Sequence, residues 1–178
     1  MDHPPIRRVV TGHNEAGNAI IESDKQLVVY NPLSPTLDES TSGKLGFATI
    51  WRTETYPAKA DGPWQEINGI QIPLHHDIGN TVRIVDFAPD PGLRHRTHTV
   101  DFGMVLFGEI ELELDNGVKT VMRQGDTVIQ RATIHAWVNH GPGLARMLFF
   151  LMPAEPVVRG GVPMEEEGIP PQLEEGNQ

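Results

Sequence analysis

The sequence predicts an all-β sandwich or barrel, and three observations carry that prediction. Short segments with strand-like composition recur at intervals of roughly 8–12 residues, separated by turn residues. Asp115-Asn116-Gly117 contains the Asn-Gly pair whose tolerance of positive φ suits a tight hairpin. No segment sustains a helical apolar period of about 3.6 residues over more than two turns.

The elements follow in chain order. From Arg7 to about Leu27, two short strands flank a polar turn at Asn14 to Gly17. Asn31 to Lys44 mixes Pro, Ser, Thr and Gly without periodicity and is expected to be an extended loop. Strands are expected at Phe47–Glu54 and Ile67–Leu74, with a connection containing Pro57, Gly62 and Pro63 between them. Thr81–Phe87 is a strand stopped by Pro89 and Pro91. Gly108–Leu114 alternates apolar and acidic residues, as a half-buried antiparallel strand does. Val118–Met122, Thr127–Gln130, Ile134–Asn139 and Ala145–Met152 complete a meander. This divides the chain into N-terminal strands and loop (1–45), a barrel (46–155) and an acidic Pro/Gly-rich tail (156–178) expected to be flexible.

Composition narrows the function. A chain of 178 residues suits one domain, and its 15 prolines and 18 glycines fit many short strands. It has no cysteine, so disulfides, thiolate zinc sites and iron–sulfur clusters are excluded, and any metal must take imidazole, carboxylate or water ligands. A net charge of -10 without a basic stripe argues against nucleic acid. The N-terminal MDHPPIRRVV lacks the apolar run of a signal peptide, and no stretch approaches membrane-spanning length; the expectation is a soluble cytoplasmic protein with no membrane partner. Nucleophile-elbow, phosphate-loop and dinucleotide motifs are absent, which leaves hydrolase, kinase and dehydrogenase readings without support.

Two stretches carry a resemblance. Counting back from Gly108, Asp101, Thr97 and His95 fall on the Glu and the two His positions of Gly-x5-His-x-His-x(3,4)-Glu-x6-Gly. Gly125, His135 and Asn139 fit Gly-x5-Pro-x-Gly-x2-His-x3-Asn with one residue fewer; Arg131 stands for the usual Pro, and Ala132 stands close to the usual Gly. These are the two cupin motifs. The strings HRTHTVDFGMVLFGEIELELDNG and GDTVIQRATIHAWVN, with RRVVTGH near the start, resemble small single-domain cupins of bacteria and fungal polyketide gene clusters. The resemblance implies a double-stranded β-helix, or jelly-roll barrel, with an N-terminal strand extension that serves as the arm of a homodimer.

His95 and His135, with Asp101, make two imidazoles and a carboxylate, a ligand set that suits Fe(II) and also Zn, Ni or Mn. Thr97 marks where the resemblance expects a further ligand. His98 is the alternative third ligand, although on an uninterrupted strand it faces away from 95, 97, 99 and 101. The same parity puts Arg131, Thr133, His135 and Trp137 on one face, so Trp137 either walls the cavity or fills the core. Arg131, Arg96 and Arg52 are candidate anchors for a carboxylate or enolate. Trp51, with Trp64, is a candidate second wall. The functional expectation is a metal-dependent enzyme acting on a small oxygenated organic molecule, of lyase, decarboxylase, isomerase or oxygenase type. The alternatives are a metal-free barrel using His95 and His135 as acid and base, as in epimerase-like cupins, and a non-catalytic small-molecule binder.

Overall fold

The computed structural model describes residues 5–34 and 44–174. An N-terminal hairpin, β1 (Ile6–His13) and β2 (Ala19–Leu27), precedes the barrel. The strands β3 (Leu45–Arg52), β4 (Thr81–Phe87), β5 (Thr99–Phe107) and β6 (Glu109–Leu114) come next. They are followed by β7 (Lys119–Arg123), β8 (Thr127–Arg131), β9 (His135–Val138) and β10 (Ala145–Pro153). A short hairpin, β11 (Val158–Arg159) and β12 (Val162–Pro163), and one helical turn, α1 (Pro171–Glu174), close the described chain. Most of the expected loop at Asn31 to Lys44 falls outside the described residues.

Two antiparallel sheets make the barrel: five strands in the order β3-β4-β10-β5-β8 and three in the order β7-β6-β9. Strand parity decides what each face meets. On β5, Thr99, Asp101, Gly103 and Val105 are buried, whereas Phe102 and Met104 face out. Facing the inner side of the large sheet, Ile110, Leu112, Met122 and Trp137 from the small sheet join Phe47, Val85, Met147 and Phe149 in one core. The outer side of the large sheet is partly covered by the hairpin, whose Ile6 and Leu27 pack on Ala48 and Ile84. On the same outer face a bidentate Asp86–Arg146 pair joins register partners on the neighbouring strands β4 and β10, at 2.6 and 2.8 Å. Among the described residues no helix is long and apolar enough to cross a membrane.

Two expectations are corrected. Ile67–Leu74 is not a strand. Its Ile67, Ile72 and Leu74 are buried, but Gly69 adopts a φ of 78° and Pro73 lacks a donor for a ladder. In place of a ladder, the Asn68 amide bonds both backbone groups of Val28, at 2.8 and 3.0 Å. The stretch 156–174, expected to be flexible, is seated on the barrel in this structure. The Leu173 carbonyl accepts from the Leu74 amide, the Gln172 carbonyl accepts from the Gln71 side chain, and Glu167 bridges Arg96. Leu173 is only 3% exposed.

Candidate functional site

Between the sheets lies a cavity of about 250 Å³. That is just under the roughly 300–1,000 Å³ usual for drug-sized ligands, so it suits a small molecule. His95 and His135 meet on its wall. Their backbones exchange two hydrogen bonds of 3.0 Å, an antiparallel bridge that sends both side chains to the same side. The rings lie 4.5 Å apart between centroids, at 53°. Each Nδ1 sits beside the carbonyl oxygen two residues earlier, that of Leu93 at 3.2 Å for His95 and that of Thr133 at 2.9 Å for His135. A carbonyl oxygen only accepts, so each Nδ1 carries the proton and each Nε2 keeps a lone pair. Neither Nε2 has a hydrogen-bond partner among the described residues.

Burial favours the neutral form of both rings. It lowers the pKa of His95, and burial together with repulsion from His95 lowers that of His135 to about 3. Asp101 lines the same cavity from β5, 5% exposed. Burial raises its carboxyl to about 7, against the smaller opposing effect of a hydrogen bond from Thr99. Its Oδ1 is buried without a partner. Thr97 also lines the cavity, but its hydroxyl is engaged with that of Thr99 at 2.7 Å.

The ligand expectations divide here. The imidazole pair fits a metal, because a tied-off Nδ1–H with a free Nε2 lone pair is the arrangement of a ligating histidine. The three-residue set is corrected: among the described residues, no three His, Asp or Glu side chains converge closely enough to hold one ion. His98 is not the third ligand. Its Nε2 lies 2.8 Å from the Met164 carbonyl, and its amide donates to Glu166 at 2.6 Å, so the C-terminal segment holds it away from the cavity.

Of the expected pocket residues, Thr97 and Trp137 line the cavity. Trp137 is a wall and a core residue at once, packed between His135 (edge-on, 5.8 Å) and Phe149 (tilted, 5.7 Å). Three others do not line it. Arg131 ends β8 exposed, because Ala132 at a φ of 47° breaks the parity that would join it to His135. A bulge between Thr49 and Trp51 turns Trp51 outward, where it packs on Trp64 at 5.2 Å. Arg52 is paired with Glu54 at 2.8 Å.

The lining residues not foreseen include a buried arginine. Arg83 on β4 is 1% exposed and borders the cavity. Its guanidinium lies over the Phe47 ring at 4.5 Å and donates to the carbonyls of Leu74 (2.9 Å) and Pro73 (3.2 Å) and to the Thr49 hydroxyl (3.4 Å). Inward parity with Val85 and Phe87 was a signal for it, but Val82 and Ile84 make the opposite face equally apolar.

Fold and site thus define a double-sheet β-barrel with an imidazole-lined cavity between its sheets. The cupin domain model matches residues 83–151, which hold the histidine pair, Asp101, Trp137 and Arg83. A cupin-domain-containing oxidoreductase of Aspergillus ruber, fogC, is 40% identical over 166 residues, covering 90% of this chain and 78% of that protein. Oryzines biosynthesis cluster protein J of Aspergillus oryzae is 32% identical over 173 residues, covering 93% and 92%. A cupin-domain-containing oxidoreductase of Hypocrea virens, virC, is 32% identical over 168 residues, covering 87% and 81%. Among solved structures, a Klebsiella pneumoniae protein with a double-stranded β-helix domain superposes with a TM-score of 0.44 and 19% identity, over 64% of this chain and 81% of that one. The chain belongs to the cupin family.

Proposed function

We propose that the cavity is the active site of a metal-dependent enzyme acting on a small oxygenated organic molecule, centred on His95 and His135. The observation that carries this reading is the pair of imidazoles, His135 buried and His95 half-buried, whose neutral form is favoured and whose Nε2 lone pairs have no partner among the described residues. A divalent ion (Fe, Zn, Ni or Mn) held on the two Nε2 atoms would supply Lewis-acid polarisation of substrate oxygens.

The chain's own residues contribute the rest. The Leu93 and Thr133 carbonyls fix the two ring orientations. Trp137 and Phe149 offer apolar ring faces and keep that wall free of water. Asp101, with its carboxyl near 7, can hold or accept a proton at Oδ1 at neutral pH. The oxidoreductase names of the Aspergillus ruber and Hypocrea virens relatives favour oxidation over lyase, decarboxylase or isomerase chemistry.

A second reading, a metal-free acid–base pair, is favoured by the lack of a converging third ligand among the described residues. Elemental analysis of protein purified without a metal-affinity tag separates the two, with wild type, His95→Ala and His135→Ala in parallel. Near-stoichiometric metal in wild type that is lost in both variants is the expected result. Metal-free wild type from metal-supplemented medium would overturn the metal-dependent reading in favour of the second. Oxygen uptake with candidate substrates then tests oxidation.

A further inference from the structure

We propose that the molecule held in the cavity carries a carboxylate, and that Arg83 is its anchor. The inference rests on the reading that the cavity is the site, and it adds the charge class of the ligand and the residue that selects it. The cavity's charged and titratable lining consists of Lys44, Arg83, Asp90, His95, Asp101 and His135 among the described residues. Lys44 and Asp90 neutralise each other at 2.6 Å, and Lys44 is largely exposed. Arg83 is therefore the one permanent, uncompensated cation on the described cavity wall.

Its setting supports a ligand-binding role over a structural one. The other buried Arg of β4 and β10, Arg146, has a bidentate carboxylate partner in Asp86. Arg83 has none among the described residues; its partners are two carbonyls, a hydroxyl and the face of Phe47. Those bonds use three of the five N–H donors of a guanidinium and leave two. A buried charge without a counter-charge costs stability, and an apolar side chain of like volume would avoid that cost. A bound carboxylate supplies the missing charge and takes the two free donors. The surrounding surface is ring and aliphatic carbon: Phe47 lies under the guanidinium, and Phe149 is Arg83's register partner on β10. This suits a planar carbon frame bearing a carboxylate better than a bare inorganic anion.

The test compares benzoate with its neutral isostere benzamide, by titration calorimetry, on wild type, Arg83→Met and Arg83→Lys. Wild type is expected to prefer benzoate by roughly tenfold or more, the size of a charge-assisted hydrogen bond. Arg83→Met is expected to lose that preference and Arg83→Lys to keep part of it. Circular-dichroism melts confirm that each variant is folded; if Arg83→Met does not fold, wild type and Arg83→Lys carry the comparison. Equal affinities, no benzoate binding at millimolar concentration, or a preference that survives in folded Arg83→Met would overturn the proposal. Inorganic phosphate competing more tightly than benzoate would overturn the assignment to a carboxylate. The ring resonances of His135 locate the bound probe. Benzoate that binds without moving them refutes the cavity as the site, whereas benzoate that moves them without dependence on Arg83 refutes the anchor alone.

Discussion

Replacing Asp101 by Asn removes a titrating proton from the cavity with little change of shape, and the pH dependence of the effect follows from linkage. Burial raises the Asp101 carboxyl from its ordinary 3.8 to about 7, so between those values the folded chain holds a proton that the unfolded chain has released. The wild type therefore loses stability as pH rises from about 4 through about 7; below that window the carboxyl is neutral in both states and costs nothing. Each pH unit is worth about 1.4 kcal/mol, which gives about 4 kcal/mol at most and about 2–4 kcal/mol once cavity water is allowed for. The asparagine side chain of the variant stays neutral throughout. Its amide also brings a donor to a place where Asp101 Oδ1 and Gln130 Oε1, on register partners, both lack one. Thermal melts of metal-free protein should show equal midpoints at about pH 4, with the variant ahead by roughly 5–10 °C at about pH 8. A midpoint difference that is flat with pH, or a variant that melts lower at about pH 8, would refute the reasoning. The second outcome would mean that a cation or donor already holds Asp101 ionised.

Two backbone positions give further tests. Ala132, at a φ of 47°, occupies a left-handed position close to the motif glycine, so Ala132→Gly should raise stability by up to about 1 kcal/mol by denaturant melt. Gly92 has a φ of 80°, and a Cβ there would lie 2.3 Å from the Trp137 carbonyl oxygen. Gly92→Ala should cost about 2 kcal/mol or more and alter the near-ultraviolet signal of Trp137, whereas an unchanged spectrum and melt would contradict the contact.

The barrel strands were legible because alternation on one buried face leaves a period-two signature, as in β6, and because Thr81–Phe87 is bounded by its own breakers. Ile67–Leu74 imitates that pattern while burying Ile67, Ile72 and Leu74, the last in the barrel core, from an irregular chain pinned by Asn68. Motif spacing singled out His95 and His135, and the structure brings the two together in a backbone bridge. It could not show whether Asp101 reaches them, which depends on how the strands cross. Trp51 and Arg131 were misplaced for one reason: a bulge and a left-handed residue reverse parity without a clear mark in the sequence. The C-terminal stretch was misread because average composition hides four specific contacts, Glu166 with His75 and with His98, Glu167 with Arg96, and Leu173 in the core.

Two neutral imidazoles presenting Nε2 lone pairs to the cavity are the centre of the proposed site, and ¹⁵N NMR of the His95 and His135 side chains tests them directly. In metal-free protein both rings should show the Nδ1–H tautomer at about pH 8, with Nε2 unprotonated, and His135 should keep that neutral form at about pH 5, below the ordinary histidine pKa. A fully protonated His135 at that pH, or an Nε2–H tautomer on either ring, would contradict the site as described.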